Sequence, residues 1–329
     1  MTSTTKKPFT KDILHIDDIE SVCNEIIAKM RTDVAKKLQR RGAVIGISGG
    51  IDSSACLALS AKAFGPKNVT AIMLPEQDSS DDSRSLAEEL AAAFDVTQTL
   101  VENITGALEG FGCYQRRDEA IGRVVTDFDP EVDKAKIEIK QDPASTLPPI
   151  FSITVIKPNG DVVSKLLPAK EYLQIVAATN FKQRSRMSML YYHAERLHCA
   201  VIGTPNKHEV EQGFFVKYGD GGADIMPIGH LYKTQVFQIA AHLGVPQGIL
   251  DRTPTTDTYT AEQTQEDFFY QLPFELMDLL WYGWENGYEA NEVAPALDLE
   301  INQVENVYKT FERKKKTTEY LRMSPIRNY

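Results

Sequence analysis

Along residues 16–41, Ile19, Val22, Cys23, Ile26, Ile27, Met30, Val34 and Leu38 recur at three- and four-residue steps and Gly42 follows, the pattern of an amphipathic helix closed by a glycine C-cap. The period then changes. Ala43-Val44-Ile45-Gly46-Ile47 is a short apolar run bounded by glycine, which reads as a strand, and the sequence from Asp52 to Phe64 reads as a helix. A second strand is expected over 69–74, a helix over 82–94 through Leu86, Leu90 and Phe94, and a third strand over 96–101. Strand, helix, strand, helix, strand predicts an α/β fold with a doubly wound, mostly parallel sheet.

Residues 113–167 interrupt that rhythm with charges, prolines and two strand-like stretches in place of a crossover helix. Residues 150–156, the Lys157-Pro158-Asn159-Gly160-Asp161 turn and 162–167 predict a β-hairpin, so 113–167 reads as an insertion within one domain of residues 1–329. The hairpin half is expected to be ordered and 127–143 to be mobile; an insertion of this length is expected to cover a substrate cleft or extend a subunit contact. Helical sequence resumes over 169–197, a strand follows at 199–202, and a helix over 232–243 stops at Gly244 and Pro246. The remainder predicts a mainly helical C-terminal part, around 266–285 and 300–316.

With 42% hydrophobic side chains in 329 residues, the chain can bury one sizeable core. The opening MTSTTKKPFT has no apolar signal region, and no stretch approaches the roughly 20 apolar residues of a membrane span, so a cytoplasmic protein without a membrane partner is expected. Cys23, Cys56, Cys113 and Cys199 lie far apart, which argues against disulfides and zinc. A net charge of −10 disfavours nucleic acid as a partner, and the one dense basic run, Arg313-Lys314-Lys315-Lys316, reads as a solvated helix end.

The sharpest chemical signal is Ser48-Gly49-Gly50-Ile51-Asp52-Ser53-Ser54, between a predicted strand and a predicted helix. Backbone N–H groups of a glycine-rich turn at a helix N-terminus form an anion site, because unpaired donors and the helix dipole point the same way. Asp52 would repel an anion unless a divalent cation bridged carboxylate and phosphate, which makes it a candidate magnesium ligand. The pattern is neither G-x-x-x-x-G-K-[ST] nor G-x-G-x-x-G.

This SGGxDS segment resembles the PP-loop of the ATP-pyrophosphatases, which cleave ATP between the α and β phosphates. Three further motifs narrow the resemblance to the ammonia-dependent NAD synthetases: Asn180-Phe181-Lys182-Gln183-Arg184-Ser185-Arg186-Met187; the stretch from Gly203-Thr204-Pro205-Asn206-Lys207-His208-Glu209 through Tyr218-Gly219-Asp220-Gly221-Gly222-Ala223-Asp224; and Pro227, Leu231 and Lys233 followed by Pro254-Thr255-Thr256-Asp257. The resemblance spans 43–260 and implies an adenine-nucleotide-hydrolase-like fold and a homodimer. It implies ATP contacts from Gly46, Ile47, Ser48, Gly49, Gly50, Asp52, Ser53, Ser54, Thr204, Lys233 and Thr255, with Asp52 and Lys233 as the catalytic pair. It assigns Mg2+ to Asp52 and Glu209, and deamido-NAD to Arg184, Lys217, Asp220, Asp224 and Lys314.

The implied reaction is attack of the substrate carboxylate on the α-phosphorus of ATP, release of pyrophosphate, and displacement of AMP by ammonia. Ammonia would come from solution or a separate glutaminase, since only a short segment precedes the loop. The chain departs from the family pattern after Asp257: Glu266-Asp267-Phe268-Phe269-Tyr270-Gln271-Leu272-Pro273-Phe274 stands where the family has D-E-x-x-L-G-x-x-Y, and Arg313-Lys314 where it has H-K. The alternative is an amide ligase of the same ATP chemistry acting on another carboxylate. The six histidines are scattered and suggest no nucleophile–base pair, and Met187, Leu190 and Tyr191 read as core.

Overall fold

The apolar runs pair into two sheets. A computed structural model describes residues 6–79, 81–140, 150–255, 259–261 and 263–327. Strands β1 (Ala43–Gly46), β2 (Val69–Met73) and β3 (Gln98–Val101), then β4 (Lys134–Lys140), β5 (Ile150–Ile156), β6 (Val162–Leu166) and β7 (Ala200–Ile202), form two sheets. The larger is parallel in the order β3-β2-β1-β7, with Ala43 opposite both Val69 and Ala200.

Side chains alternate across β1, so Ala43 and Ile45 face one layer and Val44 the other. The first layer holds α1 (Ile19–Thr32), α2 (Ile51–Phe64) and α3 (Asp81–Ala93). The second holds α4 (Thr105–Gly110), α5 (Cys113–Val124) and the long α6 (Ala169–Leu197). After β7 come α7 (Lys207–Gln212), α8 (Lys233–Leu243) and α9 (Gln247–Leu250), the last two returning to the first layer. Helices on both faces of a parallel sheet are the doubly wound arrangement read from the sequence. The C-terminal part comprises α10 (Phe274–Glu285), α11 (Ala290–Leu297), α12 (Ile301–Thr317) and α13 (Glu319–Arg322), and α10, α11 and α12 pack with Phe9 and Leu14 around the buried Trp281.

The structure corrects three details. The first helix widens into a π-helical turn at Asp33–Lys37. Helical sequence over 266–285 breaks into a π-helical turn, Glu266–Tyr270, and α10, because Pro273 has no N–H to continue a helix. Within 113–167 the chain forms α5, whose Cys113, Tyr114, Arg117, Ala120 and Ile121 are buried at helical spacing that neighbouring charges obscure. It also forms β4, inside the stretch expected to be mobile; residues 141–149 lie outside the description.

The hairpin is the β5–β6 pair, and β4 completes an antiparallel three-stranded sheet. Ile137, Ile153 and Val155 bury against Ala120 and Ile121 of α5 and Ile175 of α6. The backbone of β4 also holds Thr260, Ala261 and Gln263. The Ala135 N–H donates to Thr260 Oγ1 at 2.7 Å, Ala261 N–H to the Ala135 carbonyl at 3.2 Å, and Gln263 Nε2 to the Ile137 carbonyl at 3.0 Å. Among the described residues, no helix is long and apolar enough to cross a membrane.

Candidate active site

A cavity of about 780 Å³ opens at the C-terminal ends of β1, β2 and β7, where an open α/β sheet places its ligands. Its floor is the 48–54 loop. Gly49 takes φ +72°, a left-handed conformation that a side chain would strain, and Gly50 starts α2 without a side chain to cap it. Ser53 and Ser54 both turn their hydroxyls back onto the Gly50 carbonyl, at 2.9 and 2.8 Å. The first-turn N–H groups of α2 therefore keep no side-chain cap, which is the anion-binding condition expected from the sequence. Gly46, Ile47, Ser48, Gly50, Asp52 and Ser53 line the cavity, whereas Gly49 and Ser54 lie behind it.

Asp52, in the first turn of α2, collects groups from two other elements. Lys233, the first residue of α8, is fully buried and its ammonium lies 2.5 Å from Asp52 Oδ2. Asn206 caps α7 by accepting the Glu209 N–H at 3.2 Å, while its amide nitrogen donates to Asp52 Oδ1 at 3.1 Å. The Asn206 N–H in turn donates to Glu209 Oε2 at 2.9 Å. One capping box thus brings both carboxylates to the loop. Burial, and then the charge of Asp52, push the Glu209 carboxyl up to about 8. Two carboxylates facing one lysine are short of positive charge, and a bound cation would relieve that deficit.

The opposite wall comes from α6 and the glycine-rich 213–224 segment. A Cβ on Gly219 or Gly221 would lie 2.9 Å from Gln183 Cβ or 2.3 Å from Phe215 Cδ2, so only glycine lets this segment pack so closely. Arg184, Lys217 and Asp220 line the cavity, as do Thr204 after β7 and Thr255 in the segment after α9. Arg184 Nε donates to the Lys217 carbonyl at 3.4 Å, and the Lys217 ammonium donates to the carbonyls of Tyr320 and Met323 at 2.8 and 2.9 Å. Burial raises the Asp220 carboxyl to about 6, with the Val216 N–H at 2.7 Å opposing the rise.

Two expected substrate contacts lie elsewhere. Asp224 is outside the cavity lining and accepts from the Val201 N–H at 2.8 Å and the Tyr191 hydroxyl at 3.2 Å. Lys314 sits behind Phe269, with its ammonium 4.4 Å from the ring centroid and donating to the Phe269 carbonyl at 3.0 Å. Burial, then Arg313, lower it to about 8. Met187 and Leu190, read as core, line the cavity. Thr256 and Asp257 of the Pro-Thr-Thr-Asp segment lie outside the described residues.

The family model for NAD synthase matches residues 22–128 and 146–324. The chain belongs to the NAD synthase family. It is 46% identical over 317 residues to the NH(3)-dependent NAD(+) synthetase of Rhizobium meliloti (strain 1021), covering 96% of this chain and 94% of that relative. Against the synthetase of the same name from Methanosarcina mazei the identity is 28%, over 90% of this chain and 94% of the relative. The fold is similar to an NMN synthetase from Francisella tularensis, with a TM-score of 0.64 and 22% identity over 94% of this chain and 98% of that one. It is also similar to an NH3-dependent NAD synthetase from Campylobacter jejuni, with a TM-score of 0.60 and 20% identity over 95% of this chain and all (100%) of the other. As a family member, the chain is a ligase of the NAD synthase type.

Two buried polar clusters beside the site carry no motif in the sequence. Lys182, on α6 beside the cavity, pairs with Glu76 at 3.1 Å and Asp78 at 2.6 Å, and Arg117 of α5 pairs with Asp78 at 2.5 Å. Tyr114 donates to Glu76 at 2.8 Å. The second cluster joins His208 of α7 to Asp278 of α10 at 2.6 Å. The legible signal was Asp278 itself, a lone carboxylate within the apolar run Leu276-Met277-Asp278-Leu279-Leu280-Trp281.

Proposed function

We propose that the protein converts deamido-NAD to NAD with ATP and ammonia. The observation that carries this reading is the convergence of Lys233, Asn206, Asp52 and Glu209 on the uncapped N-terminus of α2. The homology to ammonia-dependent NAD synthetases over 96% of the chain supports the choice of nitrogen donor and acceptor.

In this reading the loop N–H groups receive the β- and γ-phosphates of ATP, and Lys233 and Thr204 hold the triphosphate from the side. The substrate carboxylate attacks the α-phosphorus, the bond to the bridging oxygen breaks, and pyrophosphate leaves into the loop. Ammonia then attacks the carbonyl carbon of the acyl-adenylate, the C–O bond to AMP breaks, and one proton is released. Preorganised donors and positive charge do most of the work, with no covalent bond to the protein. Asp52 and Glu209 would hold magnesium, which supplies charge neutralisation for the phosphates when bound. Arg184, Lys217 and Asp220 contact the dinucleotide. A second copy of the chain completes a homodimer, and the exposed Leu173 and Tyr192 of α6 are apolar surface that such a contact would cover.

The Francisella fold neighbour, named an NMN synthetase, makes the mononucleotide the competing acceptor. Purified protein supplied with ATP, magnesium and ammonium should show the higher kcat/KM with deamido-NAD than with nicotinate mononucleotide. The reverse order would assign the chain to the mononucleotide.

A further inference from the structure

His208, Asp278 and Lys233 are each fully buried, and the site described above uses only the last. Asp278 belongs to α10, outside the parallel sheet, yet its carboxylate reaches the first turn of α8. Oδ1 accepts from the Lys233 N–H at 3.3 Å and Oδ2 from the Thr234 N–H at 2.7 Å. Tyr232, the N-cap residue of α8, provides no side-chain hydrogen bond there. The helix that begins with Lys233 is therefore capped from another helix, by a full negative charge on its positive end.

Asp278 is itself held. His208 Nε2 lies 2.6 Å from Asp278 Oδ1, and the Gln212 side-chain amide donates to His208 Nδ1 at 3.1 Å, which leaves the imidazole proton on Nε2, donating to Asp278. Lys314 Nζ donates to Gln212 Oε1 at 3.4 Å, giving Lys314 a place at the far end of this relay. The rings of Tyr232, Trp281 and Tyr270 meet the imidazole at steep angles, with centroids 5.7, 5.7 and 6.0 Å away. They leave it little room to swing out. The helix α10 also meets the other end of Lys233, since Phe274 places its ring 5.1 Å from the ammonium.

We propose that Asp278, oriented by His208, is a positioning residue that sets where the Lys233 ammonium lies against Asp52. The proposal rests on the reading of Lys233 as a group that acts on ATP. A buried carboxylate among aromatic rings is costly to desolvate, and this one spends its acceptors on His208 and the two N–H groups that orient Lys233. His208 directly precedes Glu209, so the same contact also ties α7, which carries one of the two carboxylates, to α8, which carries the lysine.

The test is a kinetic double-mutant cycle on the full chain, with kcat and the KM for ATP measured for Lys233→Ala, Asp278→Ala and the double variant under ATP, magnesium, ammonium and deamido-NAD. Asp278→Ala should lower kcat roughly 10²-fold, as expected for a displaced catalytic group. The KM for ATP should rise no further than it does in Lys233→Ala, because the loop that also binds the phosphates is untouched. In the Lys233→Ala background the same change should cost nothing further. His208→Gln, which leaves the cap in place, should give a smaller loss with the same non-additivity, and it decides the question if Asp278→Ala does not fold. Losses that multiply in the double variants, or Asp278→Ala and His208→Gln variants with wild-type kcat, would overturn the positioning role. A Lys233→Ala enzyme as fast as wild type would instead overturn the assignment of Lys233, and the proposal with it.

Discussion

The side-chain amide of Asn206 donates to Asp52 at 3.1 Å, while its backbone N–H donates to Glu209 at 2.9 Å. Two carboxylates far apart in sequence are thereby held by one residue. Because each contributes charge rather than packing, Asp52→Asn and Glu209→Gln should each abolish turnover. A glutamine at 209 can still accept the Asn206 N–H, so the melting temperature should stay within about 2–4 °C of wild type. Near wild-type activity in both variants would remove the metal assignment.

Asp220 supplies a pH dependence. Burial raises its carboxyl from 3.8 to about 6 in the folded chain. Between those values the native state binds more protons than the unfolded state, so this group's contribution to stability falls as pH rises through about 4 to 6. Asp220→Asn, which keeps an acceptor for the Val216 N–H, should therefore gain melting temperature relative to wild type between pH 4 and pH 7. A difference that stays constant, or that shrinks, across that range contradicts the assigned shift.

Lys182 is a stability prediction. Burial works to raise the Asp78 carboxyl, but Lys182 and Arg117 outweigh it and hold it below its usual value. Lys182→Met leaves Glu76 and Asp78 buried with only part of their compensation, and should cost roughly 3–5 kcal/mol. Urea unfolding measures it directly, and a loss under about 1 kcal/mol, typical of an exposed pair, would show that the cluster is solvated.

How far these features could be read in advance follows from their physics. The β1–loop–α2 unit was legible because an apolar strand, two glycines and a helix start coincide within a dozen or so residues. The hairpin at β5 and β6 was legible from its Asn-Gly turn. The α5 helix was not, since Arg116, Arg117, Asp118 and Glu119 mask an apolar stripe, and Arg117 is buried only because Asp78 awaits it. His208 looked unremarkable because its partner, Asp278, is 70 residues away and only tertiary packing joins them. Lys314 was assigned by its place in a motif, but the fold turns it toward Phe269 and Gln212.

The three-stranded sheet gives a further prediction. The backbone of β4 holds Thr260, Ala261 and Gln263, and the flanking Thr255, Tyr259, Gln265 and Phe269 line the cavity. Replacing 127–166 by a short Gly/Ser linker, with α5 kept, should raise the KM for the carboxylate substrate or weaken dimerisation while the 48–54 loop stays intact. Unchanged kinetics together with unchanged sedimentation would reduce the sheet to a surface excursion.

We propose that the open N-terminus of α2, flanked by Lys233, receives a leaving pyrophosphate and not a single γ-phosphate. Phosphorus NMR of a reaction with ATP, magnesium, ammonium and deamido-NAD tests it most directly. One AMP and one pyrophosphate should appear for each NAD formed; ADP and inorganic phosphate as the stoichiometric products would rule this role of the loop out.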